Sequence, residues 1–128
     1  MIYLVDTHLL LWAALEPQRL SAAATAVLED PRAGLMFSAA SIWEVAIKAS
    51  MGREDFRVDS RLLRRALLEN GYSELAISSE HAVAVADLPD RHGDPFDRIQ
   101  VAQARVEGLV FLTGDAVVAD YGSPVQLV

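Results

Sequence analysis

The chain has 128 residues, 52% of them hydrophobic and 23% charged, which suits one packed domain and excludes a disordered chain. Eighteen acids against eleven bases give a net charge of -7, which speaks against holding nucleic acid by bulk charge but leaves room for a local site that recruits a cation. Cysteine is absent, which excludes disulfides, thiolate zinc sites and cysteine nucleophiles; there is no long apolar run and no basic leader before Asp6, so a soluble cytoplasmic protein with no membrane role is expected.

In chain order, Ile2 to Val5 is a short apolar run that stops at Asp6, the length of a strand buried on both faces. Leu9 to Leu15 reads as helix, ended or kinked by Pro17. Ser21 suits the cap of a second helix reaching Asp30, with Pro31 and Gly34 as punctuation. Leu35 to Ser38 is a second strand, followed by a helix from about Ser41 to Met51 that Gly52 closes. Asp59 or Ser60 caps a helix to Asn70, closed by Gly71. Leu75 to Ile77 reads as a third strand, Ser79 to about Asp87 as helix and Leu88 to Gly93 as loop. Pro95 to Glu107 is helix, Gly108 stops it, Leu109 to Thr113 is a fourth strand, and Val125 to Val128 is a candidate fifth. Short apolar strands separated by helices predict an α/β domain spanning 1–128, with a parallel sheet covered on both faces. In such sheets, sites form beyond the carboxyl ends of the strands.

Four acids fall at that edge. Asp6 ends the first strand; it could equally cap the next helix, with Thr7 sharing the role. With Ser41 at zero on a helical wheel, Glu44 falls at about -60° and Lys48 at about -20°, and apolar residues fill the rest. A solvated Glu44–Lys48 strip is worth about 0.3–0.5 kcal/mol. A helix apolar nearly all round favours instead an acid that points into a cleft. In Asp94-Pro95-Phe96-Asp97, Asp94 suits the cap and Pro95 the first helical position. Asp97 shares a face with Val101, Ala104 and Gly108, while Ile99, Ala102 and Val106 form the opposite one. Arg98 and Arg105 line one side of this helix; Gln100, Gln103 and Glu107 line the other. A helix with two apolar faces is clamped between layers, so Asp97 begins an inward line, its charged form favoured by the helix N-terminus. Asp115, in Thr113-Gly114-Asp115, by itself reads as a turn.

Two carboxylates about 4 Å apart repel by roughly 4 kcal/mol at an effective dielectric of about 20. Acids gathered in this way bind protons or a cation. Hard oxygen ligands without His or Cys suit magnesium or manganese, and such a site can hydrolyse a phosphodiester.

At these residues the sequence resembles the PIN-domain family, and within it the VapC-type toxins of toxin–antitoxin pairs, over nearly the whole chain. The carriers are Tyr3-Leu4-Val5-Asp6-Thr7-His8; Ser38-Ala39-Ala40-Ser41-Ile42-Trp43-Glu44-Val45-Ala46-Ile47-Lys48; His92-Gly93-Asp94-Pro95-Phe96-Asp97-Arg98 with Ala102-Gln103-Ala104; and Thr113-Gly114-Asp115. The resemblance implies a three-layer α/β/α sandwich with a central parallel sheet of four to five strands. It implies a Mg2+- or Mn2+-dependent endoribonuclease with Asp6, Glu44, Asp97 and Asp115 as catalytic acids. Asp6 and Asp97 are the metal ligands carried over most firmly; Glu44 and Asp115 bind directly or through water. Asp94 is a nearby acid as well as a cap. Thr7, Ser41 and Thr113 either hold water or substrate oxygen or make local backbone hydrogen bonds. The implied partners are an RNA substrate, a cognate antitoxin and a second copy in a homodimer, with operator DNA reached only through the antitoxin.

An acidic chain must still admit RNA. Arg61, Arg64 and Arg65 share a helix face, with Lys48, Arg53 and Arg57 earlier; solvent, RNA or antitoxin could face them. Arg98 could contact phosphate or balance the acids. Trp12 and Trp43 read as core or subunit contacts. Rival readings are an inactive PIN-like interaction module, a phosphoaspartate receiver and an aspartate-nucleophile phosphatase. A receiver needs paired acids after its first strand, where Asp6 stands alone, and the phosphatase needs a second Asp where His8 stands.

Overall fold

The computed structural model describes residues 1–52, 57–90 and 93–128; Arg53 of the basic group and His92 of the segment before Asp94 lie outside the described residues. The chain runs β1 (Ile2–Val5), α1 (Thr7–Leu15), a 3-10 turn (Pro17–Arg19), α2 (Ala22–Leu28), β2 (Gly34–Ser38), α3 (Ala39–Ser50) and α4 (Ser60–Glu69). It continues with β3 (Ser73–Leu75), α5 (Ser79–Ala84), a second 3-10 turn (Val85–Asp87), α6 (Pro95–Glu107), β4 (Val110–Thr113), α7 (Ala116–Ala119) and β5 (Val125–Leu127).

All five strands are parallel, in the order β3-β2-β1-β4-β5. β1 lies in the middle, with Leu4 beside Met36 of β2 and Phe111 of β4. The strand order reverses between β1 and β4, the position at which an open parallel sheet leaves a crevice.

Alternate strand residues feed two cores. Leu4 and Phe111 pack with Val101, Ala102 and Ala104 of α6 and Val118 of α7. Val5, Phe37 and Leu112 pack with Leu9 and Leu10 of α1, Val45 of α3, and Leu63 and Leu67 of α4. Each fully buried Phe or Leu is worth about 1.5–3 kcal/mol of transfer free energy. The sheet is therefore covered on both faces, as an α/β/α sandwich.

Local chemistry sets the helix starts. Ser21 Oγ accepts from the Ala24 N–H at 3.0 Å, and the Asp59 carboxylate accepts from the Arg61 N–H at 2.9 Å. α3 starts earlier than the apolar pattern predicts, at Ala39, because Ser38 caps it at 3.0 Å from the Ala40 N–H. α6 stops at Gly108, whose φ of 69° suits the left-handed C-terminal position. β3 forms two residues before its expected place at Leu75–Ile77. As an edge strand it is fixed by backbone pairing of Ser73 with Met36 and Leu75 with Ser38, and it needs no apolar run. α7 was not expected; Asp115 caps it by accepting from the Val117 N–H at 2.9 Å. Among the described residues no helix is long and apolar enough to cross a membrane.

Candidate active site

The end of β1 delivers Asp6 to the carboxyl edge of the sheet, where it is 3% exposed. Asp6 stands at the cap position of α1, yet its side chain makes no capping bond. Its Oδ2 accepts instead from Thr113 Oγ1 at 2.7 Å, and Thr113 Oγ1 accepts from the Asp115 N–H at 3.1 Å. Burial pushes the Asp6 carboxyl above its usual range and the Glu44 charge adds to this, while the Thr113 bond, His8 and the Thr7 N–H pull the other way.

Glu44 comes from the second turn of α3 and is 4% exposed, so it is no part of a solvated strip. Its Oε2 accepts from Lys48 Nζ at 2.6 Å, and its Oε1 is buried with no partner. The helix is less enclosed than its apolar wheel predicts. Trp43 is 58% exposed and rests edge-on against Phe96, with ring centroids 5.2 Å apart; of its two expected places, core or subunit contact, this corrects the core. Trp12 is half-buried against the α1 side of the core.

Asp97 stands in the first turn of α6 and collects the cluster electrostatically. Its carboxyl is pushed up to about 8, first by burial and then by the charges of Asp6, Asp94, Glu44 and Asp115. The expectation that the helix N-terminus would favour its charged form is thereby overturned: burial and four like charges outweigh the dipole. Asp94 is an exposed cap, accepting from the N–H groups of Phe96 at 2.9 Å and Asp97 at 3.2 Å. Asp115 is likewise a cap whose charge still acts on Asp97.

Thr7 and Ser41 are held across the fold, whereas Thr113 bonds both across it to Asp6 and locally to the Asp115 N–H. Thr7 Oγ1 meets Ser41 Oγ at 2.8 Å, and Ser41 Oγ lies 3.3 Å from Gln100 Oε1. Arg98 donates to the carbonyls of Pro89 (3.0 Å) and Val85 (3.3 Å) and to the Tyr121 hydroxyl (2.9 Å), which ties α6 to its neighbours. Arg61, Arg64 and Arg65 lie exposed on α4, with Arg64 Nε 3.4 Å from Glu74 Oε1. Gln100 and Gln103, expected along a polar side of α6, are completely buried. A Gln three residues after Asp97 is the one trace of this in the sequence.

Among the described residues, no three acidic or histidine side chains stand ready to hold one ion. Asp6 is turned onto Thr113, Glu44 onto Lys48, and Asp94 and Asp115 onto backbone N–H groups. The donor set nevertheless fits a hard divalent cation. It offers only oxygen, it contains the orphaned Glu44 Oε1, and four other acids bear electrostatically on Asp97.

The family model for the PIN domain matches residues 3–123. No curated protein matches the sequence. Among solved structures, VapBC2 from Rickettsia felis, bound to a DNA fragment from its promoter, superposes with a TM-score of 0.70 at 13% identity, over 100% of this chain and 98% of that one. A toxin–antitoxin complex from Klebsiella pneumoniae gives 0.67 at 20% identity, over 97% and 95% of the two chains. VapBC-1 from nontypeable Haemophilus influenzae gives 0.68 at 20% identity, over 100% and 97%. Likeness at these identities is a likeness of fold.

Proposed function

This chain belongs to the PIN-domain family, and from that premise we propose that it is a metal-dependent endoribonuclease, the toxin of a toxin–antitoxin pair. The observation that carries the reading is the gathering of Asp6, Glu44, Asp94 and Asp115 near enough to Asp97 for their charges to act on it, beside a buried Glu44 oxygen left without a partner.

Asp6 and Asp97 would hold Mg2+ or Mn2+, with Glu44 and Asp115 completing the shell directly or through water. When bound, such a cation supplies positive charge for a phosphoryl group and lowers the pKa of water. Thr113 fixes the rotamer of Asp6, and Lys48 that of Glu44. Thr7 and Ser41 bond to one another and need form no covalent link to substrate. Water is the nucleophile, and the bond cleaved is an RNA phosphodiester.

The partners follow from the same premise. A cognate antitoxin and a second copy of this chain, as a homodimer, are its proposed protein partners. Operator DNA is reached only through the antitoxin, and the pair works in the cytoplasm.

The test is cleavage of an RNA pool with Mg2+, with Mn2+ and with a chelator. Metal-dependent cleavage is the expected result. No cleavage, together with no metal-induced rise in melting temperature, would identify an inactive interaction module instead.

A further inference from the structure

α3 and α6 meet in a stepped register beneath the acids. Ser38 donates to Gln103 Oε1 at 2.6 Å. Three residues on along α3 and three back along α6, Ser41 donates to Gln100 Oε1 at 3.3 Å. A third equal step reaches Glu44 and Asp97, whose charges act on one another. The lower two rungs are hydroxyl–amide bonds between side chains with no exposed surface. The uppermost sets carboxylate against carboxylate.

Each glutamine is oriented by its other end. Gln100 Nε2 donates to the Phe96 carbonyl at 3.1 Å, and Gln103 Nε2 to the Ala76 carbonyl at 3.4 Å. Oε1 of Gln100 is therefore the acceptor, and the Ser41 proton goes to it. The Ser41 oxygen then accepts the Thr7 hydroxyl proton across 2.8 Å. The relay runs one way, from Thr7 to Ser41 to Gln100. Thr7 is bonded to Asp6, Ser41 lies one turn before Glu44, and Gln100 lies one turn after Asp97. Three segments far apart in sequence are thus joined under the three carboxylates they carry.

Stability does not require this arrangement. Replacing both partners of a buried hydrogen bond with apolar groups of similar shape is nearly neutral, whereas removing one partner costs about 1–3 kcal/mol. Buried polar networks that are fully satisfied hold one geometry.

We propose that Gln100, acting through Ser41 and Thr7, is a positioning residue that sets the separation of Asp6, Glu44 and Asp97 and thereby the affinity of the acid cluster for a divalent cation. This rests on the cation-dependent reading of the site given above.

The experiment measures Mn2+ binding by calorimetry, and kcat and KM for RNA cleavage, in the wild-type chain, Gln100→Met, Ser41→Ala and the double variant. Circular dichroism checks the fold of each. Each single variant is expected to bind Mn2+ about tenfold more weakly, the lower end of the loss seen for residues bonded directly to a metal ligand. The loss should appear in kcat, with KM for RNA unchanged. Because the two residues act in one relay, the double variant should be no worse than the weaker single one. Wild-type Mn2+ affinity in folded Gln100→Met or Ser41→Ala overturns the positioning role and leaves the nuclease reading standing. Additive losses of melting temperature with unchanged Mn2+ affinity overturn it likewise. A wild-type chain that neither binds Mn2+ nor cleaves RNA overturns the nuclease reading and this proposal together.

Discussion

Thr113 donates its hydroxyl proton to Asp6 Oδ2 at 2.7 Å across 107 residues of chain, and the bond spans the seam between β1 and β4 where the strand order reverses. Thr113→Val removes the donor and leaves that oxygen buried, which should cost about 1–3 kcal/mol. Cleavage should fall roughly tenfold or more, since the freed carboxylate loses its orientation. Thr113→Ser keeps the hydroxyl and should restore both. Urea titration and initial cleavage rates measure the two effects.

Asp6→Asn and Asp97→Asn should each lower RNA cleavage by on the order of a hundredfold or more, because each removes a charge from the proposed cation site. Both should fold. Asn at position 6 still offers an oxygen to Thr113, and Asn at 97 removes a charge that burial and four acids oppose. Circular dichroism and cleavage rates check this; full metal-dependent activity in either variant would remove that residue from the site.

The raised Asp97 carboxyl makes stability depend on pH. Its folded value of about 8 exceeds its value in the unfolded chain, so the folded protein holds that proton more tightly. The resulting stability is complete below about pH 4 and is lost as pH rises through about 8. Asp6, also raised, adds in the same direction. In chelator, the melting temperature should therefore fall across this window. Asp97→Asn should flatten the fall, and Mg2+ should offset it by replacing the proton. A flat wild-type profile in chelator would contradict the assignment.

Among the described residues Lys48 alone pairs with the Glu44 carboxylate, whose side chain is 5% exposed, with Nζ 2.6 Å from Oε2. Lys48→Met should cost about 1–3 kcal/mol in a urea titration, because it leaves a buried charge uncompensated. Glu44→Gln in the same background should recover most of the loss. Mg2+ should raise the melting temperature of Lys48→Met more than that of the wild-type chain, as the cation takes over the work of the ammonium.

The sheet and its acid-bearing edge are legible in the sequence for a local reason. A short apolar run that stops at Asp6, or a Pro95 after Asp94, marks where an element ends whatever surrounds it. What depends on distant neighbours is not legible. Gln100 carries the same letter whether it faces water or a serine 59 residues away. Leu75–Ile77 looks like a strand, yet pairing with Met36 and Ser38 sets β3 earlier. Trp43 counts toward an apolar helix, but Phe96 of α6 covers only one edge of it and it stays 58% exposed. The raised carboxyl of Asp97 comes first from burial and then from acids of three other segments and of its own helix cap, none of which a helix dipole argument includes.

The central position of β1 has a consequence for biosynthesis. The segment bearing Asp6 emerges from the ribosome well before its second flanking strand, β4, and before Asp97 and Asp115. A nascent polypeptide cut short of those residues has neither the hydroxyl that steadies Asp6 nor the acids that would share its ion. The proposed cation site is thus incomplete until both α6 and β4 have been made.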